Sequence, residues 1–304
     1  MVEIIKNRNW FFAFSGLLVA LSFVALTVWG LKPGIDFTGG SLVEVEFAQN
    51  RPDIVAVQET VNKEFGDVLV QASGDKQYIF KLKFLSPEEH TKFITVLKDN
   101  FAKGENTMVE NRTETIGPAV SEVLKRRSTT AGFVVVIAII AFIAYSFRKV
   151  ADPVASWKFG VAAVITLIHD VGITAGIFAV LGHYLDVRVD IAFVVAMLTI
   201  FGYSVNDTIV VFDRIREKLI RRSGGQTFGN LTNLAVNETL WRSFNTSFTV
   251  LLSLTALYLL GGETTRYFTL ALLIGIFFGT YSSIFLASPL LVAWQEWDSR
   301  RRKR

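Results

Sequence analysis

Ile200-Phe201-Gly202-Tyr203-Ser204-Val205-Asn206-Asp207-Thr208-Ile209-Val210-Val211-Phe212-Asp213-Arg214-Ile215-Arg216-Glu217 decides how this chain is read. An apolar helix receives an Asn-Asp pair before its end, then runs into charge at Asp213, Arg214, Arg216 and Glu217. A carboxylate inside a bilayer is costly unless it is paired, hydrated or protonated. With Arg214 at the boundary, Asp207 lies about 10 Å inside at 1.5 Å per residue. Thr199, Tyr203, Asn206 and Asp207 recur at helical spacing near one face, which suits a hydrated path between helices. The alternative is a polar contact that only holds the bundle together. Intramembrane carboxylates are functional by default, so Asp207 is read as a working group. For Asn206 the two readings stand level.

Five further apolar runs surround this one, so the chain reads as a polytopic α-helical membrane protein with six transmembrane helices. They are 10–31, 131–147, 159–185, 191–212, 244–262 and 267–293, each near the length that crosses roughly 30 Å of hydrocarbon. The second is short unless its helix starts earlier. Hydrophobic residues make up 51% of the chain and charged ones only 19%, which leaves room for one modest soluble portion. The net charge of +4 is more than accounted for by Arg300-Arg301-Arg302-Lys303-Arg304. A basic tail after a span reads as a topology signal, and no nucleic-acid partner is expected. There is no cysteine, which excludes thiol chemistry. The first run reads as an uncleaved anchor, because Val28-Trp29-Gly30-Leu31-Lys32-Pro33 is a poor cleavage site.

The soluble portion follows the first run. Gly34-Ile35-Asp36-Phe37-Thr38-Gly39-Gly40-Ser41 marks a tight connection, not a helix. Residues 42–47 alternate as a strand, and 52–65 carry Ile54, Val57, Val61 and Phe65 at helical spacing. Residues 68–71 and 78–84 flank Gly74-Asp75 as a hairpin. Ser86, Pro87 and Glu89 open a second helix that runs to about Ala102. Residues 107–115 are a last strand. The order β-α-β-β-α-β is the α+β ferredoxin-like arrangement. The expected divisions are 1–31 (N-terminus and first span), 32–128 (extracytoplasmic domain and connections), 129–293 (the other five spans) and 294–304 (basic tail).

Basic residues in short loops orient the chain. Lys6 and Arg8, Arg148, Lys149 and Lys158, the polar connection 214–242 with its Gly224-Gly225 break, and the tail fall on one side, the cytoplasm. Both termini are then cytoplasmic. The cluster Lys125-Arg126-Arg127 runs against this, but long translocated domains are largely exempt. Trp10, Trp157, Trp241, Trp294 and Trp297 fall near the same interface. His169 and Asp170 sit near the centre of the third span. Neighbours on a helix point about 100° apart, so they are not expected to pair with each other. Asp170 is open to a functional or a structural reading. Zinc ligation is not expected, since a site wants three or four ligands and the chain has three histidines. Arg242 either snorkels at its membrane boundary or reaches a carboxylate such as Asp207. Gly172/Gly176 and Gly275/Gly279 have the spacing of close helix packing and are expected on faces that meet a partner. Asp213, Arg214, Arg216 and Glu217 read as a solvated salt-bridge cluster.

These residues resemble a known family. Residues 34–40, 202–217, the stretch Ile168-His169-Asp170 and Thr239-Leu240-Trp241-Arg242-Ser243-Phe244-Asn245-Thr246-Ser247 are similar to motifs of the SecD/SecF family, accessory subunits of the bacterial Sec translocase within the resistance-nodulation-division superfamily. Trp241 departs from the small residue expected there. The resemblance covers essentially the whole chain. It implies an SecF-type subunit that, with SecD, uses the proton or sodium gradient to drive late steps of protein export. It implies SecD, the SecYEG translocon, YajC, YidC and unfolded preprotein as partners, no cofactor and no enzymatic activity. On it, Asp207 matches the proton-carrying carboxylate and Arg242 its charge partner; Asn206 and Asp170 stay proton-coupling candidates on the reading of the residues alone. Asp36, Gly34, Gly39 and Gly40 form the hinge. Two other classes compete. A small-molecule or lipid exporter of the same superfamily usually carries two six-span halves, and this chain has one. An intramembrane aspartyl hydrolase needs two facing carboxylates, which Asp170 and Asp207 would have to supply.

Overall fold

A computed structural model describes residues 2–146, 154–221 and 225–302. Arg148-Lys149, Asp152-Pro153, Gly224, Lys303 and Arg304 lie outside the described residues. The chain divides into two compact units, Pro33–Thr129 and the combination of Met1–Lys32 with Thr130–Arg304.

In the smaller unit, strands β1 (Gly40–Phe47), β2 (Leu69–Ser73), β3 (Gln77–Leu82) and β4 (Met108–Ile116) form one antiparallel sheet in the order β2-β3-β1-β4. That is the ferredoxin-like topology, with helices α3 (Ile54–Phe65) and α4 (Pro87–Phe101) against one face. Strand alternation puts Val43, Val45 and Phe47 of β1 and Tyr78 and Phe80 of β3 inward, where Val57, Val61, Phe93 and Leu97 of the helices meet them. Asp53 caps α3, and Ser86 with Glu89 closes a reciprocal capping box on α4 with Pro87 at its first position.

The glycine-rich connection differs from expectation. A single helical turn, α2 (Ile35–Thr38), occupies it, because Gly34 in an extended conformation starts the turn and Gly39 at φ 73° ends it. Gly40 then enters β1 at φ 151°. A Cβ there would lie 2.6 Å from the Leu82 carbonyl oxygen of the neighbouring strand. Gly40→Ala should therefore destabilise this unit by about 1–3 kcal/mol, combining backbone strain with a forced shift of β3. The check is thermal unfolding of the full chain, with Gly66→Ala as reference for strain without a contact, since a Cβ at Gly66 meets nothing within 4 Å. Equal losses at both positions would remove the packing argument.

The larger unit is helical. Among the described residues six helices are long and apolar enough to cross a membrane: α1 (Arg8–Val28), α5 (Pro118–Ser146), α6 (Ser156–Leu185), α7 (Ile191–Ile220), α8 (Phe228–Leu260), and a sixth span of α9 (Glu263–Ser282), a π-helical turn (Ser283–Ala287) and α10 (Ser288–Arg302). The early start of α5 lengthens the second span as required. Helices α6, α7 and the sixth span are about half buried, whereas α1, α5 and α8 are mostly exposed.

The polar connection 214–242 is largely helical, contrary to the reading of it as a loop. Ion pairs hold α7 and α8 together beyond the apolar stretch, and good helix formers carry both helices on. Arg214 pairs with Glu217 and Glu238, Lys218 with Glu238, and Arg216 with Asp213. The expected salt-bridge cluster is thus present. The N-terminal segment is clasped at the same end. Asn237 accepts from the Val2 amide at 2.7 Å and Asn233 from the Ile5 amide at 3.2 Å, while Arg8 makes a two-pronged bond to Glu296. At the opposite end Lys32 bonds Asp186 at 2.8 Å, and Arg188 reaches the same carboxylate. Burial alone would raise the Asp186 carboxyl, but these two cations outweigh it and hold the group below its ordinary range.

Candidate functional site: a buried carboxylate layer

Two hydrophobic clusters fill the bundle, and a polar layer separates them. One cluster takes Leu167 from α6, Val211 and Phe212 from α7, and Ile284, Ala287 and Leu291 from the sixth span. The other takes Phe178, Ile200, Ala271 and Ile276. Between them, in all three helices, stand Asp170, Ser204, Asp207, Ser282 and Ser283.

Asp207 is 9% exposed. Its Oδ1 accepts from the Ser243 hydroxyl at 2.6 Å, and its Oδ2 accepts from the Ser283 hydroxyl. Asp170 is fully buried. Its Oδ2 accepts from Ser204 at 2.5 Å and from Ser282 at 2.8 Å. Adjacent serines therefore serve different carboxylates on different helices. They stand where the sixth span passes from α-helix into its π-helical turn, a geometry that recurs at functional sites. Gly279 makes room for Asp170: a Cβ there would lie 3.2 Å from Ser204 Cβ and 3.5 Å from Asp170 Oδ2. One helical turn along α7 and α8 from this layer, the Tyr203 hydroxyl donates to Ser247 at 3.0 Å, and Thr280 lies 2.6 Å from the same oxygen.

Arg242 is exposed and lies close enough to act on Asp207 through space, yet no ion pair joins them among the described residues. The serines occupy the carboxylate instead. Asn206 is exposed, pointing away from the carboxylate layer. The stripe of Thr199, Tyr203, Asn206 and Asp207 is accordingly split: Asp207 is buried, Tyr203 half-buried, and the other two face outward. Asp36 is half-buried in the first turn of α2, and Gly34, Gly39 and Gly40 frame that turn in the smaller unit.

Two readings require correction. His169 Nδ1 lies 2.9 Å from Asp170 Oδ1, so the two neighbours do pair. The 100° offset separates their Cβ directions, but both side chains are long enough to turn toward each other. Gly176, Gly275 and Gly279 mark packing within the chain, not a partner face. Ser22 of α1 seats against Gly176, Ile200 of α7 against Gly275, and Ser204 against Gly279. Trp241 needs no space in the bundle, being exposed and stacked on Phe244 at 5.8 Å.

The serines were missed by sequence reasoning. Each lies within a motif quoted above or one helical turn of Gly279, but nothing in a single sequence says which hydroxyl faces which carboxylate.

Six candidate spans, a ferredoxin-like domain in the first connection and a buried acid layer define a polytopic membrane protein with carboxylates in its helical core. Residues 96–297 match the family model described as protein export membrane protein SecD/SecF, C-terminal, and residues 24–50 match the SecD/SecF GG motif. The protein translocase subunit SecF of Thermobaculum terrenum is 40% identical over 99% of this chain and 96% of its own length. The SecF subunit of Desulfurispirillum indicum is 38% identical over 97% of this chain and 92% of its own. The crystal structure of SecDF from Thermus thermophilus, described as a translocon-associated membrane protein, superposes with a TM-score of 0.82 at 33% identity. That likeness covers 96% of this chain and 38% of the SecDF chain. The chain belongs to the SecD/SecF family and is a multi-pass membrane protein of the protein-export machinery.

Proposed function

We propose that this chain is the SecF-type half of a gradient-driven export motor, with Asp207 as its proton-carrying group. The observation that carries this is the buried Asp207 carboxylate, held by two hydroxyls and approached by Arg242 without contact. Hydroxyls can donate to an ionised carboxylate and accept from a protonated one, so both states are accommodated. Arg242 is free to move onto the carboxylate and off again, which changes its hold on a proton. Asp170 is a second acid in the same layer. The Gly34–Gly40 turn, with Asp36, serves as the hinge that passes motion to the ferredoxin-like domain.

SecD is the partner that fits. Asn206 is exposed at membrane depth, where a polar side chain facing lipid is costly. A second six-span subunit covering that face removes the cost and closes the path to Asp207. The relatives named SecDF are longer: this chain spans 36–38% of their length, which leaves room for a second half. The SecYEG translocon, YajC, YidC and unfolded preprotein complete the assembly on this reading. Translocase subunits have a transport role, and no chemical step is assigned to this chain.

The test is export into inverted vesicles at constant ATP. Vesicles depleted of this chain should lose the gradient-stimulated part of export and regain it on reconstitution with SecD. An unchanged response to the gradient after depletion would sink the reading.

Both termini are assigned to the cytoplasm, and residues 33–129 to the opposite side. A reporter active only outside the cytoplasm should work when fused after Gly74 and be silent after Gly224. The reverse pattern would overturn the orientation and the contact of the domain with emerging substrate.

A further inference from the structure

His169 is 4% exposed, and its Nε2 has no hydrogen-bond partner among the described residues. Leaving a buried polar atom unpaired costs about 1–3 kcal/mol. A contact selected only to hold helices together gains nothing from an imidazole so placed. A hydroxyl would bond Asp170 without the penalty. What imidazole adds is the ability to share a proton with the carboxylate beside it.

We propose that the His169–Asp170 pair is a second proton-binding site, linked to Asp207 through Ser282 and Ser283. The pair changes by one proton, from a net charge of −1 to neutral. In the first state neutral His169 donates from Nδ1 to the Asp170 carboxylate. In the second, either the added proton is on Nε2 and the proton between Nδ1 and Oδ1 belongs to the carboxyl, or the added proton is on Oδ2; in both, Asp170 is a neutral carboxyl.

The serines can follow either state without losing a bond. Ser282 Oγ is 2.8 Å from Asp170 Oδ2 and 3.2 Å from the Gly279 carbonyl oxygen. Ser283 reaches Asp207 Oδ2 and, at 3.0 Å, the Thr280 carbonyl oxygen. Each hydroxyl has one proton and two acceptors. With an ionised carboxylate it donates to the carboxylate. With a protonated one it turns to the backbone and accepts from the carboxyl O–H. Because the two serines are consecutive at the π-helical turn, a shift there moves both. Two ionised carboxylates in one buried layer also repel each other. Protonation of either site is therefore felt at the other.

The neighbours of the pair are few. Tyr281 on the sixth span stacks on the imidazole at a centroid distance of 6.2 Å, and its hydroxyl meets Ser15 of α1. From α7 comes the Ser204 hydroxyl, with Asp207 beyond the serines. Among the described residues no other titratable side chain hydrogen-bonds to the pair or stacks on it.

The proposal rests on Asp207 carrying protons, but its test reads protonation and not export, so the two readings fail separately. pH-difference infrared spectra of the full chain in lipid vesicles report the carbonyl band of each protonated carboxyl group. Two such bands are expected from the layer. Asp207→Asn should remove one, Asp170→Asn the other, and each variant should shift the band that remains. His169→Asn keeps a donor at the Nδ1 position but takes no proton. It should shift the Asp170 band while leaving thermal stability near that of the parent, which keeps the test available if Asp170→Asn fails to fold. Ser282→Ala with Ser283→Ala should shrink the mutual shifts to what charge repulsion alone leaves. Absence of an Asp170 band, or an Asp170 band unchanged by both His169→Asn and Asp207→Asn, overturns the proposal.

Discussion

Asp207→Asn should reduce gradient-stimulated export to the level seen with no gradient, while the chain stays folded and assembled. The amide keeps the size of the carboxylate and still offers Oδ1 to Ser243 or Ser283, so the layer loses at most one of its hydroxyl bonds. What it cannot do is take up or release a proton. A purely structural Asp207 would lose about 1 kcal/mol on this change, and export would still respond to the gradient. Asp207→Glu keeps the proton and moves it by one methylene, so partial activity is expected. The measurement is export into inverted vesicles with ATP-driven translocation held constant and the gradient switched on or off. A full response from the Asn variant would make Asp207 a packing contact and move the coupling role to Asp170.

Gly275→Leu should have the largest effect on stability. Even a bare Cβ at Gly275 runs into the Ile200 side chain, a fully buried residue at the α7–α9 contact. Helices pack this closely in membranes through small residues, and a branched side chain forces the backbones apart. Overpacking costs about 1–3 kcal/mol, and this case belongs at the upper end because Ile200 has no free space to enter. Ser204 and Gly279 lie one helical turn along the same contact, so the separation would also loosen the hydroxyls around Asp170. Ile200→Ala in the same chain should recover part of the loss, although alone it leaves a cavity. The check is thermal unfolding in detergent. A loss in the double variant equal to the sum of the single losses would show that Gly275 does not act through Ile200.

Much of the architecture was legible in the chain. Spans are announced by length and apolarity because the bilayer demands them, and the order β-α-β-β-α-β by periodicity and the Ser86–Glu89 capping box. Helix extent past the membrane was less legible. Residues 213–221 look like a polar loop until Glu238 is seen to pair with Arg214 and Lys218 from across the hairpin. The glycine turn was misread because one helical turn needs no periodic pattern, only Gly34 and Gly39 at its ends.

The sequence by itself determined that Asp207 falls within an apolar run of membrane-crossing length, about 10 Å from its charged end at 1.5 Å per residue. It placed Asp170 within a second such run. Only the tertiary structure decided what these acids meet. Ser204, Ser243, Ser282 and Ser283 come from three helices, and their facing depends on helix rotation and on the π-helical turn, which one sequence does not encode in any local pattern. The same holds for His169, which turns onto its neighbour Asp170, and for Gly176, Gly275 and Gly279, which the chain's own helices fill. Spacing along one helix fixes which side chains share a face. Which helix that face meets is fixed by packing among all of them.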